Sequence, residues 1–335
     1  MSRTLLLHRI ASLRPRHAVV AVLLLTACGG AANVPSEPEP RDPSPAAPLS
    51  AGDHVLTVQV GAETRRYLVH VPPGASRPRP AIVAFHGGGG NAAQFKSIAR
   101  FDVHADANDY LVVYPEGTGT GSNSWNAGGC CALAQATGVD DVAFARAMIA
   151  DLSARRALDP ARLYVTGHSN GAMVAHRVAA EASDLVAAAA PYAGSPYFGT
   201  LPFAPAHPVP MLHIHSVDDP LAIWTGGVSG EGTFKTPVMP QLDYWRQRNG
   251  CGAPVVGADS VIGDAGTVNA GQTAAWVRWR DCPAASPLVL RRLTGAGHAW
   301  PGMPVTPMLA AQLGRGTRII DIEAEIWAFV SQFRR

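Results

Sequence analysis

Charge is scarce in this chain: Asp, Glu, Lys and Arg make up only 16% of its 335 residues, against 47% hydrophobic ones. That excludes a disordered scaffold and leaves apolar mass for a large core. A basic field is lacking too. The formal charge is +2, but four of the 27 basic residues fall within residues 1–27, which hold no acid, so 23 basic residues face 25 acidic ones in the remainder. A net −2 over the rest of the chain excludes nucleic acid as a partner. No apolar run approaches the roughly 20 residues that a bilayer-spanning helix needs. Internal repeats are absent, and the five cysteines lack the two close pairs of a structural zinc site, so no metal is expected.

What is present at the N-terminus accounts for the arginines. Arg3, Arg9, Arg14 and Arg16 precede ten mostly apolar residues, Ala18 to Ala27, closing on a small side chain. This is the pattern of a secretory signal over residues 1–27. It runs into Leu25-Thr26-Ala27-Cys28-Gly29, which resembles the bacterial lipobox and predicts acylation of Cys28. Diacylation would supply more than the single chain that binds membranes only marginally. The expected location is therefore outside the cytoplasmic membrane, tethered at the cell envelope. Residues 28–52 carry prolines at 35, 38, 40, 43, 45 and 48 and almost no apolar mass; they read as an extended, semi-rigid linker. The folded domain is expected over residues 53–335.

Setting Cys28 aside leaves Cys130, Cys131, Cys251 and Cys282, an even number in an exported chain, and disulfides are expected. Cys251 and Cys282 flank one irregular segment and form the favoured pair. Adjacent Cys130 and Cys131 are left as a vicinal bridge or as free thiols.

From Val55 the pattern reads as strands at Val55–Val60, Tyr67–Val71 and Pro80–His86, a helix at Ala92–Ala107 and a strand at Tyr110–Tyr114. Helix and strand then alternate: Asp141–Ala157 helical, Leu163–Thr166 extended, Ser169–Ala182 helical, Val186–Tyr192 and Met211–His215 extended, Val238–Arg248 helical. An irregular insert follows at Gly252–Asp281, in which Thr273–Arg280 adds a strand, before a strand at Leu288–Leu293 and a closing helix at Ile320–Phe333. Such alternation demands an α/β fold with a mostly parallel central sheet and helices on both faces. Reactive loops then lie at the strand carboxyl ends.

One of those loops is Val165-Thr166-Gly167-His168-Ser169-Asn170-Gly171, a Gly-x-Ser-x-Gly between a strand and a helix. This spelling suits a sharp turn that lifts the Ser169 hydroxyl clear of the sheet. A hydroxyl at neutral pH needs a base, and the base an acceptor that fixes its tautomer. Only His298 follows residue 215 among the histidines, in Gly295-Ala296-Gly297-His298-Ala299-Trp300-Pro301-Gly302 beyond the last strand. Asp218 and Asp219, both after the strand Met211–His215, compete for the acid's role. The developing oxyanion calls for two backbone N–H groups; Asn170 supplies one, and Gly88, in Phe85-His86-Gly87-Gly88-Gly89-Gly90-Asn91, the other. That glycine run lacks the lysine of a phosphate-binding loop, and no cofactor is implied. His213 and His215 read as core residues, and Asp140 and Asp141 as caps of the helix they begin. Trp125 and Trp300 either offer flat faces to an aromatic or sugar-linked acyl group or pack in the core.

These motifs, with Tyr114-Pro115-Glu116-Gly117, Trp125-Asn126-Ala127-Gly128-Gly129-Cys130-Cys131 and Val139-Asp140-Asp141-Val142, make the chain from about Arg66 onward resemble the bacterial polyhydroxybutyrate depolymerase family, which includes feruloyl and acetylxylan esterases. The resemblance implies an α/β-hydrolase fold and an acyl-enzyme on Ser169. It also implies an acid in a His-Gly-Thr-x-Asp segment, matched here by His215-Ser216-Val217-Asp218-Asp219, which puts Asp219 in the acid's place. Ser216 and Val217 depart from that pattern, and Asp218 stays a competitor. The expected activity is hydrolysis of carboxylic esters, whether hydroxyalkanoate oligomers or feruloyl and acetyl-sugar esters. Alternatives are a serine peptidase and a non-catalytic glycan-binding lipoprotein on the same fold. No separate polymer-binding module is recognisable, which favours a small-molecule or oligomeric substrate.

Overall fold

Arg79-Pro80-Ala81-Ile82-Val83-Ala84-Phe85 is a short, almost wholly apolar run, and every one of its residues is buried. A strand covered on both faces has this composition. It is β3 (Arg79–Phe85) of a ten-stranded sheet in a computed structural model that describes residues 47–74, 77–155, 157–197, 204–229 and 232–335. The leader, Cys28 and most of the proline-rich linker lie outside the described residues. The other strands are β1 (Gly52–Val60), β2 (Glu63–Val71), β4 (Leu111–Pro115), β5 (Leu158–His168), β6 (Ala188–Tyr192), β7 (Met211–Ser216), the small pair β8 (Gly227–Val228) and β9 (Phe234–Lys235), β10 (Pro254–Ile262), β11 (Thr273–Trp279) and β12 (Leu288–Thr294). The helices are α1 (Ala92–Ile98), α2 (Phe101–Asn108), α3 (Ala132–Ala136), α4 (Asp141–Ala154), α5 (Asn170–Glu181), α6 (Val238–Arg248), α7 (Pro307–Leu313) and α8 (Ile322–Val330).

The sheet runs β1-β2-β4-β3-β5-β6-β7-β12-β11-β10. Its middle, from β4 to β12, is parallel, and antiparallel pairs close both ends. Alternation along β3 sorts the two faces. Ala81, Val83 and Phe85 join Phe144, Met148, Val174, Leu242 and Trp245 of α4, α5 and α6. Ile82 and Ala84 join Phe95, Phe101, Ile322 and Ile326 of α1, α2 and α8. The mostly parallel sheet with helices on both faces is the architecture that the order of elements requires.

Several boundaries differ from the sequence reading. The single helix expected at Ala92–Ala107 is two, because Ala99 is extended at φ −80°, ψ 116°. The break lets Phe95 and Phe101 both reach Trp300, at 5.2 and 5.9 Å between ring centroids, and frees the Arg100 N–H to donate to Glu323. The insert Gly252–Asp281 is not irregular. It forms the edge strand β10, whose register on β11 shifts between Val256 and Ser260 and whose exposed Val256 and Ile262 disguise it. A disulfide joins Cys251 to Cys282 across this insert, and Cys130 pairs with Cys131. Among the described residues no helix is long and apolar enough to cross a membrane.

Candidate active site

The turn from β5 into α5 holds Ser169 at φ 57°, ψ −120°, a region that L residues enter only when their surroundings enforce it. Three glycines explain how the turn fits. A Cβ on Gly171 would collide with the carbonyls of Phe85 and His86, one on Gly167 with the carbonyl of Gly171, and one on Gly194 with that of Ser169 itself. Strand, turn and helix thus touch backbone to backbone. Asn170 opens α5, so its N–H is among those the helix leaves unused. Gly88 lies over it: a Cβ there would stand 3.5 Å from Asn170 Cβ.

The glycine loop after β3 is braced from below. The Gly117 N–H donates to His86 Nε2 (3.0 Å), so the Nδ1–H of His86 donates to the Gly87 carbonyl (2.8 Å). Burial pushes this imidazole down to about 4 and keeps it neutral. Trp125 Nε1 donates to the His86 carbonyl at 2.9 Å, and the Asn170 side chain grips the Trp125 backbone, accepting from its N–H (2.8 Å) and donating to its carbonyl (3.0 Å). Trp125 is fully buried, edge-on to Phe85. It therefore supports the loop from beneath and offers no face to a ligand, which corrects that expectation. Asp141, expected only as a cap, is fully buried and pairs with Arg65 of β2 at 2.9 Å while accepting from the Asn126 N–H at 2.7 Å. Asp140 does cap α4, on the Ala143 N–H.

His298 stands beyond β12 and donates through Nδ1 to Asp219 Oδ2 at 2.7 Å. The other carboxylate oxygen, Oδ1, accepts from Leu221 and Ala222, each at 2.8 Å. Burial by itself would push the Asp219 carboxyl up. The charge and hydrogen bond of His298, the nearby His215 and the Ala222 N–H outweigh burial and hold it down to about 2. Asp218 turns the other way, accepting from the Gly295 N–H at 2.6 Å. The structure therefore brings Asp219, and not Asp218, to His298.

Residues the sequence reading passed over hold the His298 loop. His168 Nε2 donates to the His298 carbonyl (2.8 Å), the Tyr192 hydroxyl to that of Ala299 (2.8 Å) and the Ser216 hydroxyl to that of Ala296 (2.6 Å). Their signal was faint, since each contact spans 80 residues or more. His213 and His215 are core residues as expected, but they belong to a row. Trp245 Nε1 donates to His176 Nδ1 (3.0 Å), His176 Nε2 to His213 Nδ1 (3.1 Å), His213 Nε2 to His215 Nδ1 (3.0 Å) and His215 Nε2 to the Ala222 carbonyl (2.7 Å). An indole that only donates at one end and a carbonyl that only accepts at the other dictate one tautomer throughout.

Ser169 and His298 line the same cleft, of about 340 Å³, with Gly88, His168, Trp300 and Met303. Trp300 borders this cleft but is itself buried, edge-on to Phe95 and Tyr192, with its Nε1 tied to Glu323 at 2.8 Å. A second cleft, of about 670 Å³, meets Ser169 from the Asn170 side. A serine on a strained turn, a carboxylate-bound imidazole and two converging amide-bearing segments can together carry acyl transfer. Among the described residues the one cluster with metal-ligand spacing is Asp53, His70 and Asp102, and the Lys96 ammonium already sits on both carboxylates.

The chain is similar to NocK of Nocardia uniformis subsp. tsuyamanensis, which carries an esterase name, at 32% identity over 62% of this chain and 64% of that one. It is similar to feruloyl esterase B of Piromyces equi at 27% over 56% and 36%. It thus spans less than two thirds of the length of these relatives. Among solved structures, an acetyl xylan esterase from Aspergillus awamori gives a TM-score of 0.53 at 14% identity, covering 83% of this chain and all but 1% of that one, whose coverage is 99%. At that identity the likeness concerns the fold alone, and the fold is of the α/β-hydrolase type. The family model described as esterase PHB depolymerase matches residues 65–240, more than half of the chain, and the protein belongs to that family.

Proposed function

We propose that the chain is an extracytoplasmic serine esterase that hydrolyses carboxylic esters through an acyl-enzyme. The observation that carries this reading is the Asp219–His298 hydrogen bond at 2.7 Å, with His298 and Ser169, on its strained turn, bordering one cleft. Ser169 Oγ attacks the acyl carbon as its proton passes to His298 Nε2. Asp219 keeps the Nδ1–H tautomer and offsets the imidazolium charge. The amides of Gly88 and Asn170 hold the oxyanion, where losing one donor costs about 3 to 4 kcal/mol. The alcohol leaves with the proton from Nε2, and water, activated by the same imidazole, releases the acid. Family membership supports the ester as substrate, and the names of the relatives support hydroxyalkanoyl, feruloyl or acetyl-sugar esters. The leader of residues 1–27 and Cys28 support export and a membrane tether.

A fluorophosphonate should label the protein on Ser169 and lose its site in Ser169→Ala, while an ester should turn over much faster than the matching amide. Labelling that survives Ser169→Ala would defeat the reading, and equal rates on ester and amide would favour a peptidase.

A further inference from the structure

The two amides that must meet on one oxygen belong to different segments, Gly88 to the loop after β3 and Asn170 to the turn into α5. Close packing brings these segments together: a Cβ on Gly171 would strike the carbonyls of Phe85 and His86, and one on Gly88 would stand 3.5 Å from Asn170 Cβ. Packing sets how near two backbones lie, whereas the turn of each peptide plane is set by directional hydrogen bonds. One residue of a third segment supplies such bonds to both. Trp125, fully buried, donates through its indole to the His86 carbonyl at 2.9 Å. Its own peptide groups take the Asn170 carboxamide end to end, the N–H donating to Oδ1 at 2.8 Å and the carbonyl accepting from Nδ2 at 3.0 Å. The Cys131 N–H also donates to that carbonyl, at 3.2 Å. Trp125 is itself fixed on either side. Ser124 exchanges both main-chain bonds with Thr118, at 2.9 and 3.0 Å, and Asn126 is held by Asp141 on its N–H and by Arg177 on its carbonyl, each at 2.7 Å.

On the Gly88 side the indole orients the peptide that joins His86 to Gly87. The next peptide, from Gly87 to Gly88, carries its carbonyl and the Gly88 N–H on opposite edges of one plane. That carbonyl accepts from His86 Nδ1 at 2.8 Å and from the Gly90 N–H at 3.1 Å, so the Gly88 N–H points away from both. We infer that Trp125 is the positioning residue of the oxyanion site: through His86 and through the Asn170 carboxamide it holds the two donor segments in one mutual orientation. This rests on Ser169 being the nucleophile and on Gly88 and Asn170 being the donors. An indole suits the place, since it is a large apolar body ending in a group that donates and never accepts. The oxyanion arises in acylation and again in deacylation but not in the bound ester, so donors out of line slow both steps and leave ground-state binding alone.

Trp125→Phe removes the indole N–H and keeps the main-chain clasp, whereas Asn170→Ala releases the clasp and keeps the Asn170 amide. An acetate ester and its thiono analogue, in which C=S replaces C=O, report on the donors, because sulfur accepts hydrogen bonds poorly and gains little from amides placed for an oxygen. Each variant should lower kcat on the oxo ester by at least about tenfold, short of the roughly 10²–10³ that deleting a donor costs, with KM within about twofold of the parent. The oxo-to-thiono rate ratio should fall with it. Acyl-enzyme formation and decay should slow by the same factor, and the pH profile that reports His298 should stay in place. In the double variant the two losses should fall short of multiplying, since either change already frees one donor segment from the other. Phe85→Leu takes away the ring edge-on to Trp125 at 5.2 Å but no hydrogen bond, and serves as the control for packing: it should lower the urea midpoint and leave the ratio unchanged. Asn170→Ala carries the test alone should Trp125→Phe fail to fold. A loss of kcat at an unchanged oxo-to-thiono ratio, losses that multiply, or an equal shift of the ratio in Phe85→Leu overturns the assignment. A parent with no preference for the oxo ester would instead defeat the choice of Gly88 and Asn170 as donors, on which the assignment stands.

Discussion

His298 and His213 are the same side chain, both nearly sealed from solvent, and the structure treats them as opposites. His298 gives one nitrogen to a carboxylate and borders a cleft. His213 has imidazoles on both nitrogens, His176 on one side and His215 on the other. Burial and neighbouring imidazoles push His213 well below its ordinary value, and burial pushes His176 down to about 3. The row must stay neutral, for a protonated member would place a second hydrogen on a nitrogen that has to accept. The difference teaches that burial does not make a histidine reactive. A charged acceptor on one nitrogen and a cleft beside the ring are what set His298 apart from that row. The two sets are nonetheless joined, since the row ends on the carbonyl of Ala222, whose own N–H holds Asp219.

The most severe way to test the contrast is to remove the charge that distinguishes His298. Asp219→Asn should lower kcat by about 10⁴-fold with folding intact, because the amide favours the wrong tautomer. Asp218→Asn, one residue away, should change kcat by less than about threefold, since it gives up only a bond to Gly295. Equal losses at the two positions, measured on one ester, would erase the distinction.

A smaller effect is expected on the silent side. His213→Leu strands the donor of His176 and the acceptor of His215, each costing about 1 to 3 kcal/mol. Urea unfolding should therefore show a clear loss of stability while kcat/KM drops less than about tenfold. A variant as stable as the parent would mean that the row contributes nothing to the fold.

The finest distinction lies in acid. His176 is lowered from 6.5 to about 3 and His86 to about 4, so between those values and 6.5 the unfolded chain binds protons that the native state refuses. Stability from these groups is complete above 6.5 and drains as pH falls toward 3. Asp219, lowered from 3.8 to about 2, contributes above 3.8 and loses its contribution only below that. Urea midpoints should accordingly decline between pH 6.5 and 4 on account of the histidines, and decline less steeply in His213→Leu. A flat profile over that interval would show that the buried imidazoles do not resist protonation.

The elbow was legible because it is local: seven consecutive residues specify strand, turn and helix, and the three-dimensional contacts of Gly167 and Gly171 are with their own neighbourhood and β3. His298 stood out by elimination and the Cys251–Cys282 pair by position. Asp219 was reached only through the family resemblance, because Asp218 and Asp219 differ by one step in a tight turn, and the bonds from Leu221 and Ala222 fix which one faces inward. The strand β10 escaped notice because an edge need not show a buried face. The helix α7 buries none of its residues and therefore carries no core-facing period to find. The Arg65–Asp141 pair joins residues 76 positions apart, and Trp125 gave no hint of lying beneath the glycine loop rather than beside it. Pairwise contacts between distant segments leave no periodic trace.

The loop that carries His298 is fastened through its carbonyl oxygens, by His168 at the end of β5, Tyr192 at the end of β6 and Ser216 at the end of β7. Three neighbouring parallel strands thus hold the segment by groups that any amino acid possesses, and the side chains of Ala296 and Ala299 take no part in the fastening. The N–H groups of Gly297 and His298 are held as well, on the carbonyls of Arg315 and Leu313, and a Cβ on Gly297 would collide with the Leu313 carbonyl. The alignment of the imidazole is consequently shared between the sheet's centre and the end of α7, and heating should spare it for as long as both stay in place.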